Sequence, residues 1–360
     1  MRSPARVGVL GCGVISRQYA ENANAFDSFE LVACADVDDA QAQIFAKAHD
    51  VPAVPVAVLV ADPSIDIILN LTPPAAHAAV TREALAAGKH VYTEKPLATD
   101  AGDAAALVED ADRLGLRLAC APDIFLGGAY QMARALLDEG AIGEPLAVNA
   151  AMLVGGQESW HPNPDIFFAD GAGPLLDMGP YYISAIVALL GPVRRVAGFA
   201  SMRTPERRIE IGPRAGERFA VATPTHTAAS MQLESGVTAN LVASFEATGQ
   251  YVCDLVIHGT EGALALPDPN AFAGPLRLSR GRDGWQDVPI SSNGRDARGI
   301  GLHDLVDAIA AARPPRASGR FGLHVVEVAR GILRSAAEER TIEIESRVDQ
   351  PEAMPSASIA

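Results

Sequence analysis

The first 120 residues alternate two hydrophobic periods. Short apolar runs lie at 6–10, 31–35, 67–71, 90–93 and 117–120. Residues 16–24, 39–49, 75–87 and 101–114 instead space their apolar positions as helices do. Brief β-branched runs separated by helices of this length predict βαβ units and a parallel sheet. After Pro122 the pattern changes. A helix is expected at 126–139, a strand at 146–153, a polar Pro-rich loop at 155–170 and a helical stretch at 175–190. From 195 to 278 strand patterns dominate. Val237, Ala239, Leu241, Ala243 and Phe245 alternate with Thr238, Asn240 and Ser244, the period of a strand buried on one face. Glu234-Ser235-Gly236 and Gly259-Thr260-Glu261-Gly262 read as hairpin turns. Helices at 301–312 and 321–338 and a strand at 341–345 close the pattern. The expected organisation is a parallel α/β domain at 1–122 and a mostly antiparallel α+β domain at 123–348. The small, polar stretch 349–360 is expected to be a disordered tail.

Composition narrows the chemistry. Apolar residues make up 49% and charged residues 20% of 360, the balance of a folded globular chain. The net charge of −15 argues against nucleic acid or an anionic membrane as partner, since both require basic surface. Cys12, Cys34, Cys120 and Cys253 are scattered without a Cys-x-x-Cys pair, which points to reduced thiols and a cytoplasmic setting. The apolar stretch at 7–11 is too short and too glycine-rich for a signal peptide.

Gly11-Cys12-Gly13-Val14-Ile15-Ser16 lies between the first strand and the first helix. Gly11 permits a tight turn, and Gly13 lets a pyrophosphate approach backbone N–H groups at a helix N-terminus. Ser16 takes the place of the usual third glycine. Asp36 ends the second strand, where a carboxylate accepts hydrogen bonds from ribose hydroxyls and repels a 2′-phosphate. Asp38 and Asp39 follow, with no Arg or Lys beside them, so NAD is favoured over NADP. The competing reading of the loop is a plain strand–helix turn, and of Asp36 a helix N-cap.

Three of the 29 basic residues are lysines: Lys47, Lys89 and Lys95. Lys95 lies in Glu94-Lys95-Pro96, just past a parallel strand, at the sheet edge where ligands bind. Burial or a neighbouring positive charge lowers a lysine pKa toward neutrality, which Arg does not allow. Pro96 restricts Lys95 to extended conformations and permits a cis peptide. Lys47 and Lys89 read as surface lysines.

On these residues the chain resembles the Gfo/Idh/MocA oxidoreductases. The resemblance rests on the glycine loop and on Thr72-Pro73-Pro74 with His77. It rests further on Gly88-Lys89-His90-Val91 followed by Glu94-Lys95-Pro96, and on the run from Gly171 to Tyr182. It implies a Rossmann domain followed by a domain with an open-faced, largely antiparallel sheet that forms a dimer or tetramer contact. It implies NAD(P)-dependent hydride transfer at a hydroxyl of a sugar or polyol. It also implies cofactor contacts from Gly11, Cys12, Gly13, Val14, Ile15, Asp36, Thr72, Pro73, His77, Glu94 and Lys95.

Many family members read Asp-x-Gly-x-His-x-x-Asp in the second domain. This chain keeps Asp177 and Gly179 but has Tyr181 at the His position and Ser184 at the second Asp. Tyrosine at that site is considered catalytic in some branches, so Tyr181 is expected to donate or relay a proton. The competing reading makes Tyr181 and Tyr182 packing residues with a polar tip. Pro180 implies that the helix either kinks at Gly179-Pro180 or begins there. In the loop, Trp160 and His161 offer the stacking and hydroxyl contacts a sugar needs. His161 and Asp165 lack a third ligand, so no metal is expected.

The expectation is therefore an NAD-dependent dehydrogenase of a sugar or polyol hydroxyl. Lys95, alone or through Tyr181, takes the proton; Asp177 orients the hydroxyl; Trp160 and His161 hold the remainder of the substrate. The rivals are a keto-sugar or aldehyde reductase at the same site, and a non-catalytic NAD(H) sensor.

Overall fold

The computed structural model describes residues 4–290 and 296–355. These divide into two compact units. The first takes the described residues of Met1–Gly127, Ser292–Val326 and Met354–Ala360; the second takes those of Gly128–Ser291 and Glu327–Ala353. A single boundary after Pro122 misses the return of 296–326 to the first unit.

The first unit opens as the alternating pattern predicts. Its elements are β1 (Ala5–Leu10), α1 (Val14–Asn22), β2 (Phe29–Ala35), α2 (Asp39–His49), α3 (Val56–Ala61), β3 (Ile67–Asn70), α4 (His77–Ala86), β4 (His90–Thr93), α5 (Ala101–Leu114) and β5 (Leu118–Cys120). The five strands are all parallel, in the order β2-β1-β3-β4-β5. Helices cover both faces of such a sheet, so its strands read as unbroken apolar runs, and every residue of β3 is buried. Asp38 caps α2 by accepting from Ala40 N at 2.9 Å, and Asp100 caps α5 by accepting from Gly102 N at 2.7 Å. The strand order reverses at β1, which has β2 on one side and β3 on the other. A crevice therefore opens at the carboxyl ends of β1 and β3.

In the second unit α6 (Gly128–Asp138) leads into β6 (Pro145–Leu153), followed by α7 (Pro174–Asp177), α8 (Gly179–Leu190) and β7 (Val193–Ser201). A small hairpin, β8 (Glu206–Arg208) with β9 (Arg218–Ala220), precedes β10 (His226–Leu233), β11 (Thr238–Ser244), β12 (Val252–Gly259), β13 (Gly262–Leu266), β14 (Arg277–Arg280) and β15 (Gln286–Asp287). The chain then forms α9 (Ile300–Ala310), α10 (Gly319–Glu338) and β16 (Ile342–Glu343). Nine strands make one sheet, β15-β14-β13-β12-β6-β11-β10-β7-β16. All its pairings are antiparallel except β6 with β11. α8 is apolar all round and buried from Gly179 to Leu189, as a helix inside a core must be. The other face of the sheet is open: Phe199, Ala228, Val242 and Ala151 stand side by side across four strands, and Phe199 is 82% exposed.

α9 belongs to the first unit. Gly301 N donates to Asp123 Oδ2 at 2.9 Å, and a Cβ at Gly301 would stand 2.6 Å from the Tyr92 hydroxyl, so no larger residue fits there. Asp304, fully buried, accepts from Arg313 and Arg316. Residues 349–355 are placed instead of forming a loose tail. Arg134 donates to Pro351 O at 3.0 Å, Gln350 to Ala188 O at 3.1 Å, and Met354 is buried. The rest of the expected tail, 356–360, lies outside the described residues.

Candidate functional site

The glycine loop sits at the β1–β3 crevice. Gly11 has φ +98°, and a Cβ there would meet Leu71 C and O at 2.6 Å and Thr72 N at 2.7 Å. Only glycine allows the loop to lie this close to the main chain after β3. Gly13 has an ordinary φ of −76°, and nothing stands within 4 Å of the Cβ it lacks. It precedes α1 without a side-chain cap, so the helix presents its first N–H groups and positive dipole end across open space. Val14 is 79% exposed beside that opening. Ser16, at the third-glycine position, is fully buried, and its hydroxyl donates to Gly13 O at 2.6 Å.

Asp36 is not a helix cap; Asp38 has that task. One Asp36 oxygen accepts from Cys12 N at 2.7 Å and the other from Asp38 N at 2.9 Å. A carboxylate offers about four lone-pair sites. Each oxygen thus keeps one for a vicinal diol such as a ribose. Val37, 95% exposed, provides an apolar surface next to it. A nucleotide could find a matching group here for each of its parts: backbone N–H and an open space for a pyrophosphate, a fixed carboxylate for a ribose, and the exposed apolar side chain of Val37 for a base.

Asn70, at the end of β3, is buried and organises the next turn. Its Nδ2 donates to His77 O and Thr81 Oγ1, and its Oδ1 accepts from Thr72 Oγ1 at 2.7 Å. His77 is 1% exposed, with Nδ1 2.6 Å from Pro96 O and Nε2 2.7 Å from Thr72 O. It ties the turn after β3 to the turn after β4 and faces the protein interior. Burial pulls the imidazole below its ordinary pKa, against the pull of both carbonyls and Glu94. Thr72 is half-buried and Pro73 is exposed in the turn after β3.

Glu94 is also buried. Its Oε1 accepts from the Tyr19 hydroxyl at 2.9 Å and its Oε2 from Lys95 N at 2.9 Å. Tyr19 was not singled out by its sequence context; a lone tyrosine in an amphipathic helix carries no local signal. Lys95 is half-buried, and the Lys95-Pro96 peptide is cis. Behind Tyr19, Tyr92 donates to Asp123 Oδ2 at 2.9 Å. Burial raises the hydroxyl pKa of both tyrosines and raises Asp123 as well, with Arg298 opposing. The other two lysines differ from each other. Lys47 is exposed, as expected. Lys89 is not a surface residue: it is 5% exposed, and its Nζ donates to Asp62 O at 2.5 Å and Ile65 O at 2.9 Å.

In the second unit, α7 ends at Asp177 and α8 begins at Gly179, so Pro180 falls in a first turn where its missing N–H is harmless. The helix starts there and does not kink. Asp177 is half-buried; Tyr181 is 6% exposed, Tyr182 fully buried and Ser184 1% exposed. Burial pushes the Tyr182 hydroxyl pKa up, with Asp268 and Cys253 adding to it. Trp160 is 61% exposed and packs with its ring 5.5 Å from His161 and 6.1 Å from Phe167. His161 Nδ1 accepts from Asn163 N, and Asp165 pairs with Arg214 at 3.0 Å. Among the described residues no group of His, Cys, Asp or Glu is arranged to hold a metal. The loop's anchor is Arg207, which joins Glu158 at 2.6 Å and Glu246 at 2.9 Å and lies over the Phe168 ring at 4.8 Å. No sequence pattern marked Arg207, since its partners lie tens of residues away.

Residues 5–121 match the model of the oxidoreductase family with NAD-binding Rossmann fold, and residues 130–265 match the GFO/IDH/MocA C-terminal domain. The chain is 31% identical over 316 residues to dTDP-3,4-didehydro-2,6-dideoxy-alpha-D-glucose 3-reductase of Streptomyces violaceoruber, covering 85% of this chain and 83% of that protein. The enzyme of the same name from Saccharopolyspora spinosa is 36% identical over 216 residues, covering 59% of this chain and 64% of that protein, just under two thirds of its length. A structure of levoglucosan dehydrogenase with NADH and L-sorbose superposes with a TM-score of 0.84 at 22% identity, covering 95% of this chain and 99% of that one, which shows a shared fold. No helix among the described residues is long and apolar enough to cross a membrane.

Proposed function

Since the chain belongs to the Gfo/Idh/MocA family of NAD-binding oxidoreductases, we propose that it oxidises a secondary hydroxyl of a sugar or polyol, with Lys95 as the proton acceptor. The observation that carries this reading is the pinned Lys95 turn at the carboxyl edge of the same sheet that carries the glycine loop. Gly11, Cys12, Gly13, Val14 and Ile15 would hold the pyrophosphate of NAD, Asp36 the adenosine ribose, and Thr72 and Pro73 would border the cofactor. When bound, the nicotinamide supplies the hydride acceptor. Lys95 holds its amine where a substrate hydroxyl loses its proton and keeps that proton as an ammonium. Tyr181 serves as a relay or donor, and Asp177 orients the hydroxyl. Trp160 offers an exposed aromatic face to a sugar ring, and His161 offers its imidazole.

The two reductases among the relatives favour a second reading, reduction of a keto-sugar by the same groups run in reverse. Microscopic reversibility assigns Lys95 and Tyr181 the same proton in both directions. A screen at 340 nm tests both: NAD+ with aldoses, inositols, anhydrosugars and glycosides, and NADH with keto-sugars. Turnover in the NAD+ arm supports the first reading, and turnover confined to the NADH arm supports the second. NADH binding without turnover of any compound would make the protein a sensor.

The open sheet face, on which Phe199 of β7 is exposed, would be covered by a second copy of the chain, giving a dimer or tetramer. Phe199→Arg should shift the mass measured by light scattering to the monomer; an unchanged mass would remove this face from the contact. The four free cysteines support a cytoplasmic setting.

A further inference from the structure

The backbone around Lys95 is held from two sides. Its own N–H donates to Glu94 Oε2 at 2.9 Å, and the carbonyl of Pro96 lies 2.6 Å from the His77 ring. Glu94 is itself held. Its remaining oxygen accepts from the Tyr19 hydroxyl at 2.9 Å, and both side chains are more than nine-tenths buried. Tyr19 stands on α1, the helix whose N-terminus opens at the glycine loop. Its ring packs edge-on against Tyr92 at 6.2 Å, which holds the phenol in place. Two consecutive hydrogen bonds thus run from α1 to the main chain of Lys95.

We propose that Tyr19 is a positioning residue: by fixing the Glu94 carboxylate it sets the place of Lys95 relative to the helix that would hold the NAD pyrophosphate. The inference rests on the reading of Lys95 as proton acceptor. Without the Tyr19 hydroxyl one oxygen of the buried carboxylate loses its donor, the contact that fixes the side-chain rotamer is gone, and the bond from Lys95 N to the other oxygen loosens with it. Tyr19→Phe removes only the hydroxyl and keeps the packed ring.

Hydrogen–deuterium exchange of the cofactor-free protein reads the effect without turnover. In Tyr19→Phe the Lys95 amide should exchange at least about tenfold faster, while the amides of β1 and α5 keep their protection. In the assay that the substrate screen yields, kcat should fall about tenfold with NADH affinity by fluorescence within twofold of wild type. The pH limb on which kcat rises should also move. Glu94→Gln alone should lower kcat similarly, and adding Tyr19→Phe should cost little more, because both act on one bond. Unchanged exchange at Lys95 would overturn the proposal. So would a loss of kcat that comes with equal losses of NADH affinity and of protection across the first unit. Lys95→Ala separates the two claims. If it retains kcat, the reading of Lys95 fails; if it is inactive while Tyr19→Phe matches wild type, only the role of Tyr19 fails.

Discussion

Two glycines of the same loop should respond to alanine differently, one losing stability and cofactor binding together and the other losing cofactor binding alone. At Gly11 the added Cβ meets main-chain atoms of Leu71 and Thr72 at 2.6–2.7 Å, and φ is +98°. A side chain in left-handed backbone costs roughly 1–2 kcal/mol. Forcing two main-chain segments apart adds about 1–3 kcal/mol, because neither belongs to a flexible side chain. Gly11→Ala should therefore lose about 2–5 kcal/mol of stability and most NAD binding with it. At Gly13 the Cβ meets nothing within 4 Å and φ is −76°. Gly13→Ala should change stability by less than about 1 kcal/mol. Its methyl group, however, enters the space where the pyrophosphate would sit. NAD affinity should fall at least about tenfold, or 1.4 kcal/mol. Urea melts followed by circular dichroism and NADH fluorescence titrations measure both quantities on the same samples. Gly13→Ala with wild-type affinity would refute the cradle, and Gly11→Ala with wild-type stability would refute the steric argument.

Two further outcomes follow from the cofactor side of the first unit. Asp36→Ala removes the carboxylate that repels a 2′-phosphate, so the ratio of NADP to NAD affinity should rise at least about tenfold; an unchanged ratio, by fluorescence titration, would remove Asp36 from the ribose site. His77 has a folded-state pKa depressed by burial, so its contribution to stability is present above the ordinary pKa of 6.5 and is lost as pH falls through the folded value. Urea melts at pH 7.5 and 5.5 should show a smaller acid loss in His77→Gln than in wild type; equal losses would contradict the lowering of the His77 pKa by burial.

Much of the first unit was legible because its order is local. A parallel strand buried on both faces is an apolar run, and the glycine loop and Glu94-Lys95-Pro96 fall directly after such runs. Asp36 could be placed for the same reason. The features that escaped depend on distant partners. Lys89 looks like a surface lysine until the carbonyls of Asp62 and Ile65 are seen around it. The return of α9 depends on Asp123 accepting from Gly301, 178 residues away. Tyr19 and Arg207 are single polar residues whose carboxylate partners lie 75 and 49 positions off, and no periodicity reports such a pair. α3 is only six residues long, too short to establish a helical period. The break between Asp177 and Gly179 was left open by Pro180, which suits a first turn as well as a kink.

The most direct test of the central claim is kcat of Lys95→Ala, with NADH affinity measured alongside, on whichever sugar or keto-sugar the screen identifies. Loss of the proton acceptor should lower kcat by about 10²–10⁴-fold while NADH binds within twofold of wild type. A variant that turns over at the wild-type rate would contradict the assignment of proton transfer to Lys95.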